Sequence, residues 1–234
     1  MSLVSWIRPL SLVGLPLLIL MAGPPVRAEE EIPAPLNDVL RDAEDRGALK
    51  ISYTMRFDWP GASPVTARFD ATTSQWQLLA GDPEDLPAPA REKFQNVQRS
   101  ESRPGGLLYG DFRPYLADIA LIEETETHFL YSFVPTQIGD AAAREPEQDI
   151  LRTRLIVTKD TPHLTLYEVR GLRPFKPNPA TKMEEFVVTQ RFAPLGEDGP
   201  VVLRELYSRQ KGDRFFRPVD IEFTATFSAF TAID

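Results

Sequence analysis

The stretch VDIEFTATFSAFTAID, residues 219–234, constrains the fold more than any other part of the chain. Val219, Ile221, Phe223, Ala225, Phe227 and Ala229 share one parity, and Asp220, Glu222, Thr224, Thr226 and Ser228 share the other. Side chains of an extended backbone point alternately to opposite sides, so this alternation means a strand with one greasy and one wetted face. Such a strand needs neighbours of the same kind, and the sequence supplies them. LKISYTMRFDW puts Ile51, Tyr53, Met55, Phe57 and Trp59 on one face and Ser52, Thr54, Arg56 and Asp58 on the other. THFLYSFV aligns Phe129, Tyr131 and Phe133. PVTARFDA, SQWQLLA, ILRTRLIVTK, HLTLYEVR, KMEEFVVTQRF and VVLRELYSRQ continue the pattern, with turn signals at Pro60-Gly61, Asp160 to Pro162, Asp198-Gly199 and Lys211 to Asp213. About ten or eleven strands follow, most of them beside their sequence neighbours.

Helical signals are few and short. In APLNDVLRDAEDRG, Leu36, Val39, Leu40 and Ala43 fall on one helical face, and Gly47 is placed as a stop. AREKFQNVQ reads as a helix touching the body through Phe94 and Val97, and DFRPYLADIA as a further helical turn or two capped by Asp111. The polar loop Thr136 to Asp149 and the proline-rich GLRPFKPNPATK read as irregular connectors. No period of about 20 to 50 residues recurs, which excludes a solenoid or propeller. The fold class expected is α+β, mainly antiparallel β: a curved, unclosed barrel of about 10–11 strands whose concave face is covered by short helices.

The N-terminus reads as an export signal. Arg8 precedes the apolar run Leu10 to Gly23, and Val26-Arg27-Ala28 offers small side chains at the positions a signal peptidase reads. Cleavage after Ala28 leaves one domain, residues 29–234, expected in the periplasm. The run falls short of the roughly 20 residues of a transmembrane span, so an integral membrane protein is not expected. With no cysteine there is neither a disulfide framework nor a site for lipid attachment. Lys+Arg number 26 against 34 Asp+Glu, a net charge of −8, which argues against nucleic acid as a partner.

A final strand of this kind in an exported chain raises the possibility of a membrane barrel. Against it stand the helical insertion from Asp82 to Ala120 and the shared parity of Lys182, Glu184 and Phe186, which would put charge on a lipid face. A sheet burying one face is the better reading.

No catalytic constellation is legible. His128 and His163 each sit inside a strand pattern without a motif-bound partner, and no G-x-S-x-G, H-E-x-x-H, phosphate loop or dinucleotide glycine pattern occurs. The acidic runs Glu29 to Glu31, Glu123-Glu124 with Glu126, and Glu184-Glu185 match no calcium-loop spacing and read as solvated faces. Neither a cofactor nor a metal is implied, and no enzyme activity is expected. What stands out is an aromatic face: Tyr53, Phe57, Trp59, Phe129, Tyr131, Phe133, Phe223 and Phe227. Helices so few and short leave part of such a face uncovered, as an apolar cavity for a hydrophobic ligand. The alternative is a fully packed core. Phe227, near the chain end, is expected to pack less completely than a central residue.

The order of elements resembles the LolA-like superfamily of periplasmic lipoprotein carriers. The likeness runs through most of the exported chain from APLNDVLRDAEDRG onward, with LKISYTMRFDW, THFLYSFVP and ILRTRLIVTK as similarly placed strands. It implies a half-barrel whose concave face, lidded by helices, holds acyl chains, with a lipid or an acylated lipoprotein as partner. The polar loop Thr136 to Asp149 and the connector after Gly171 depart from that layout. An envelope module that binds a protein partner through its loops, its sheet merely packing a core, is the second function class.

Overall fold

A computed structural model describes residues 32–46, 49–101, 107–135, 150–196, 199–215 and 217–233. The expected signal peptide and its cleavage site, the stop at Gly47 and the loop Thr136 to Asp149 lie outside the described residues. Among the described residues eleven strands form: β1 Lys50–Asp58, β2 Val65–Asp70, β3 Gln75–Ala80, β4 Leu116–Glu124, β5 His128–Pro135, β6 Leu151–Thr158, β7 Leu164–Gly171, β8 Phe175–Asn178, β9 Thr181–Pro194, β10 Val201–Arg214 and β11 Arg217–Ile233. They make one antiparallel sheet in the order β3-β2-β1-β11-β10-β9-β7-β6-β5-β4, with β8 on β9. The sheet does not close into a barrel. A bilayer-spanning wall must satisfy every strand edge, and among the described residues β3 and β4 have no further strand beside them.

Alternation places the inner face. Tyr53, Met55 and Phe57 of β1 point inward beside Phe69, Ala67 and Val65 of β2, and Phe223, Ala225 and Phe227 of β11 continue the row; all are buried. The outer face is polar. On it Arg209 bonds Glu185 at 3.1 Å and also Asp220, contacts that contribute about 0–1 kcal/mol each at a wetted surface.

Bulges reset the parity in several strands. Glu185 faces Lys211 while Met183 faces Gly212, so Glu184 and Glu185 both reach solvent and Met183 and Phe186 both turn inward. The charge that unbroken alternation would place beside Phe186 therefore never enters the apolar face. Gly212 is not in a turn, as the sequence suggests, but inside β10, which runs on to Arg214. A Cβ there would lie 2.0 Å from the Lys182 carbonyl oxygen, so only glycine fits the approach of β9.

Two more sequence expectations are corrected. Only Asp111 to Tyr115 of the DFRPYLADIA segment is helical, within a 3-10 turn Gly110–Tyr115 that contains Pro114, and Leu116 onward is strand β4. Proline cannot supply the backbone N–H that would continue an α-helix, and pairing with β5 captures the residues that follow. Phe175–Asn178 of the proline-rich connector is not irregular but a short strand on β9. Pro177 is tolerated because β8 sits off the main path with one side unpaired.

Two helices and the turn cover the inner face. Helix α1, Ala34–Asp45, buries Leu36, Val39, Leu40 and Ala43, the apolar stripe read from its 3.6-residue period, and lies against the 3-10 turn and β6. Helix α2, Ala88–Glu101, lies against β11 and buries Ala90, Phe94, Val97 and Glu101.

Candidate ligand-binding face

The eight aromatic residues singled out from sequence fall into two groups on the sheet. Strands β10, β9, β7 and β6 separate β1 and β11 from β5. In the first group Phe57 stacks on Phe223 with centroids 5.3 Å apart, and Tyr53 meets Phe227 edge-on at 5.7 Å. In the second, Phe129 and Tyr131 stand 6.2 Å apart, and Phe133 packs on Tyr167 at 5.2 Å. Trp59, just past β1, is half-buried at the margin of the core. Phe129 is a rim residue, with the Lys159 ammonium 4.6 Å above its ring.

The middle of the face is filled by residues that the alternation did not reveal. Tyr109 and Phe112 descend from the covering segment onto Phe192, at 5.3 and 5.8 Å, and Phe112 also meets Tyr167 at 5.0 Å. Tyr109 and Phe112 stand in an irregular stretch with no period to betray them. Tyr167 could have been found from its partner, because it faces Leu155 across the β6–β7 hairpin.

The cover is thin. Helix α2 reaches the sheet mainly through Phe94, whose ring stands edge-on to Phe57 at 5.6 Å and 72°. Helix α1 is tied to the turn by Arg113, which donates to Glu44 at 2.8 Å and to the Asn37 side-chain oxygen at 2.7 Å. Beneath the cover Tyr53, Phe57, Tyr131, Phe133, Phe223 and Phe227 are all buried. Phe227 is 3 % exposed, so its place late in the chain does not loosen its packing.

Some polar atoms under this cover are strained by burial. The Tyr53 hydroxyl and the Trp76 indole nitrogen, on rings 5.5 Å apart, have no hydrogen-bond partner among the described residues. Burial, helped by the nearby Glu101 carboxylate, drives the Tyr53 phenol well above its ordinary range. Tyr109 is pushed up to about 12 by burial, against a hydrogen bond from the Leu164 backbone that acts in the other direction. Each phenol is held neutral, because an anion there would lose its hydration.

The sheet also splits at one end. Pairing of β10 with β11 begins at Glu205 and Thr226. Beyond that point Val201 to Leu203 stay with β9, while Thr231 to Ile233 stay with β1. The gap is an open groove of about 490 Å³, lined by Leu195, Pro200, Arg204, Ala229, Phe230 and Ala232. Phe230 closes its inner side, with its ring 6.3 Å from that of Tyr53.

His128 and His163 stand at neighbouring hairpin turns, joined by the Lys159 N–H to the Thr127 carbonyl at 2.9 Å. Thr125 and Thr127 hydroxyls lie 3.0 and 3.1 Å from the His128 Nδ1, and the Thr158 hydroxyl lies 2.9 Å from that of His163. Threonines thus serve as turn-forming partners for both rings. Among the described residues no group of three or more His, Cys, Asp or Glu is placed to hold a metal ion. No family model, no curated protein and no solved structure matches the chain.

Proposed function

We propose that the chain is a non-enzymatic carrier or sensor of a hydrophobic ligand in the periplasm, with the acyl chains of a lipid or lipoprotein held between the concave sheet and its helical cover. The observation that carries this reading is a thin cover over a deep aromatic face. Helix α2 contributes only Ala90, Phe94 and Val97 as buried apolar side chains. An element held by so few contacts can lift at modest cost, exposing Phe57, Phe223 and their neighbours to an acyl chain. The buried, unpartnered hydroxyl of Tyr53 and indole of Trp76 support it, since a core built for stability alone leaves few such donors unpaired.

A second reading rests on the same burial. With six of the eight aromatic residues buried, the face also fits a packed core in an envelope module that binds a protein partner. Native mass spectrometry with lipid extraction separates the two. The carrier should leave the periplasm with a lipid-sized mass adduct, and after delipidation it should take up a fluorescent acyl probe. A bare chain mass, together with no probe uptake, would rule the carrier out and leave the interaction module.

A further inference from the structure

The split between β10 and β11 holds a cation among aliphatic side chains and backbone polar groups. Arg204 lies in the bulge between Leu203 and Glu205, half-buried, with its guanidinium carbon 4.5 Å above the ring of Phe230. One terminal nitrogen, Nη2, donates to the Pro194 carbonyl at 3.0 Å, which fixes the plane of the group. Among the described residues no carboxylate pairs with it, although the chain carries 34 acidic residues. Burial lowers the pKa of Arg204, a sign that its hydration is already partly stripped. The remaining walls, Leu195, Pro200, Ala229 and Ala232, offer no polar side chain. An arginine stacked on a ring, anchored at one edge and open at the other, is suited to bind an oxyanion through its free fork.

We propose that this groove is a head-group subsite in which Arg204 binds the anionic end, carboxylate or phosphate, of an amphiphile whose chain passes Phe230 toward the concave face. The assignment rests on the carrier reading and adds to it the polarity of the ligand and the end at which it is held. Charge complementarity selects the occupant: a groove with one unpaired cation as its only charged side chain, in a chain of net charge −8, disfavours acidic protein surfaces elsewhere but leaves this point attractive to an anion. Phe230 lines the groove and its ring stands 6.3 Å from that of Tyr53, so a chain displacing it reaches the aromatic face.

The test uses the purified full chain and two fluorescent probes with the same tail, cis-parinarate and its methyl ester, with inorganic phosphate as competitor. Parinarate should bind about tenfold more tightly than the ester, the worth of one charge-assisted contact at a half-exposed site. Arg204→Gln should remove that preference and leave ester binding unchanged. Arg204→Lys, which keeps the charge and loses the fork, should retain part of it. Inorganic phosphate at probe concentration should displace neither. If the unmutated chain binds both probes equally, the head-group assignment is overturned while the carrier reading stands. If phosphate displaces parinarate at equal concentration, the groove is a free-anion site and the assignment again fails. If neither probe binds, the carrier reading falls and this inference with it.

Discussion

Truncating Phe94 to alanine removes the ring that seats α2 on the sheet. Phe94 is 3 % exposed, Val97 2 % and Ala90 0 %, and these three make up the helix's apolar contact. Burial of a phenylalanine or a valine contributes about 1.5–3 kcal/mol each, so Phe94 supplies roughly half of the apolar docking. Adding the cavity left against Phe57, the loss is about 3–5 kcal/mol. If α2 lifts as a unit from an intact sheet, a loss of about 3 kcal/mol raises its opening equilibrium about 100-fold. Native-state hydrogen exchange reads this directly. Amides of α2 from Glu92 to Glu101 should exchange about 100-fold faster in Phe94→Ala, while those of β1 and β11 keep their protection. Acyl-probe uptake should quicken in parallel. Equal acceleration in α2, β1 and β11 would refute the reasoning, because it would make the cover part of one cooperative core.

Phe227→Ala, at a residue 3 % exposed against Tyr53, should lower stability by about 3–5 kcal/mol in denaturant titration, and a loss under about 1 kcal/mol would contradict its packing. Because burial raises the phenol pKa of Tyr109 to about 12, the unfolded chain loses that proton near pH 10 and the folded one does not. The associated stability is fully present below pH 10 and falls by about 2–3 kcal/mol as pH rises to 12; Tyr109→Phe should flatten that part of the alkaline unfolding curve. Gly212→Ala forces a Cβ to within 2.0 Å of the Lys182 carbonyl, and the backbone shift should cost about 1–3 kcal/mol, read as a lower denaturant midpoint. Replacing His128 and His163 together by glutamine should leave acyl-probe binding unchanged, since both rings sit in hairpin turns; weakened binding in a folded variant would place those turns at the site.

Alternation made nine of the eleven strands of the open antiparallel sheet readable, all but β4 and β8, and the helical period marked the buried stripe Leu36, Val39, Leu40 and Ala43. It failed where the backbone changes phase without a signal in residue type. In β11 the pattern holds through Phe227, but Ala229, at φ 50°, absorbs an extra residue opposite β1. Ala229 is therefore exposed rather than inward, and Phe230 takes the inner position against Tyr53. The groove follows from that slip and could not be seen in the alternation itself. Strand β4 was hidden by a different cause. Its outer half, Leu121 to Glu124, is exposed on a sheet edge, so no buried parity marks it as a strand. The covering residues Tyr109 and Phe112 owe their place to tertiary contact alone, anchored by the Leu203 N–H to the Leu107 carbonyl at 2.8 Å.

The pairing of β1 with β11 sets the order in which the chain can fold. Lys50 lies opposite Ile233 and Asp58 opposite Thr224, so among the described residues the N-terminal meander β1–β2–β3 joins the rest of the sheet only through residues 217–233. The hairpins from β4 to β10 can form by local closure, whereas this junction requires the ends of the described chain to find one another. Closing so long a loop is entropically costly and slow. Until it closes, Tyr53, Met55 and Phe57 have β2 on one side and nothing on the other. A chain threaded N-terminus first through a narrow channel would hold these rings open to capture by holding chaperones until its last strand emerges, and loss of residues 217–233 alone would strand the meander for good.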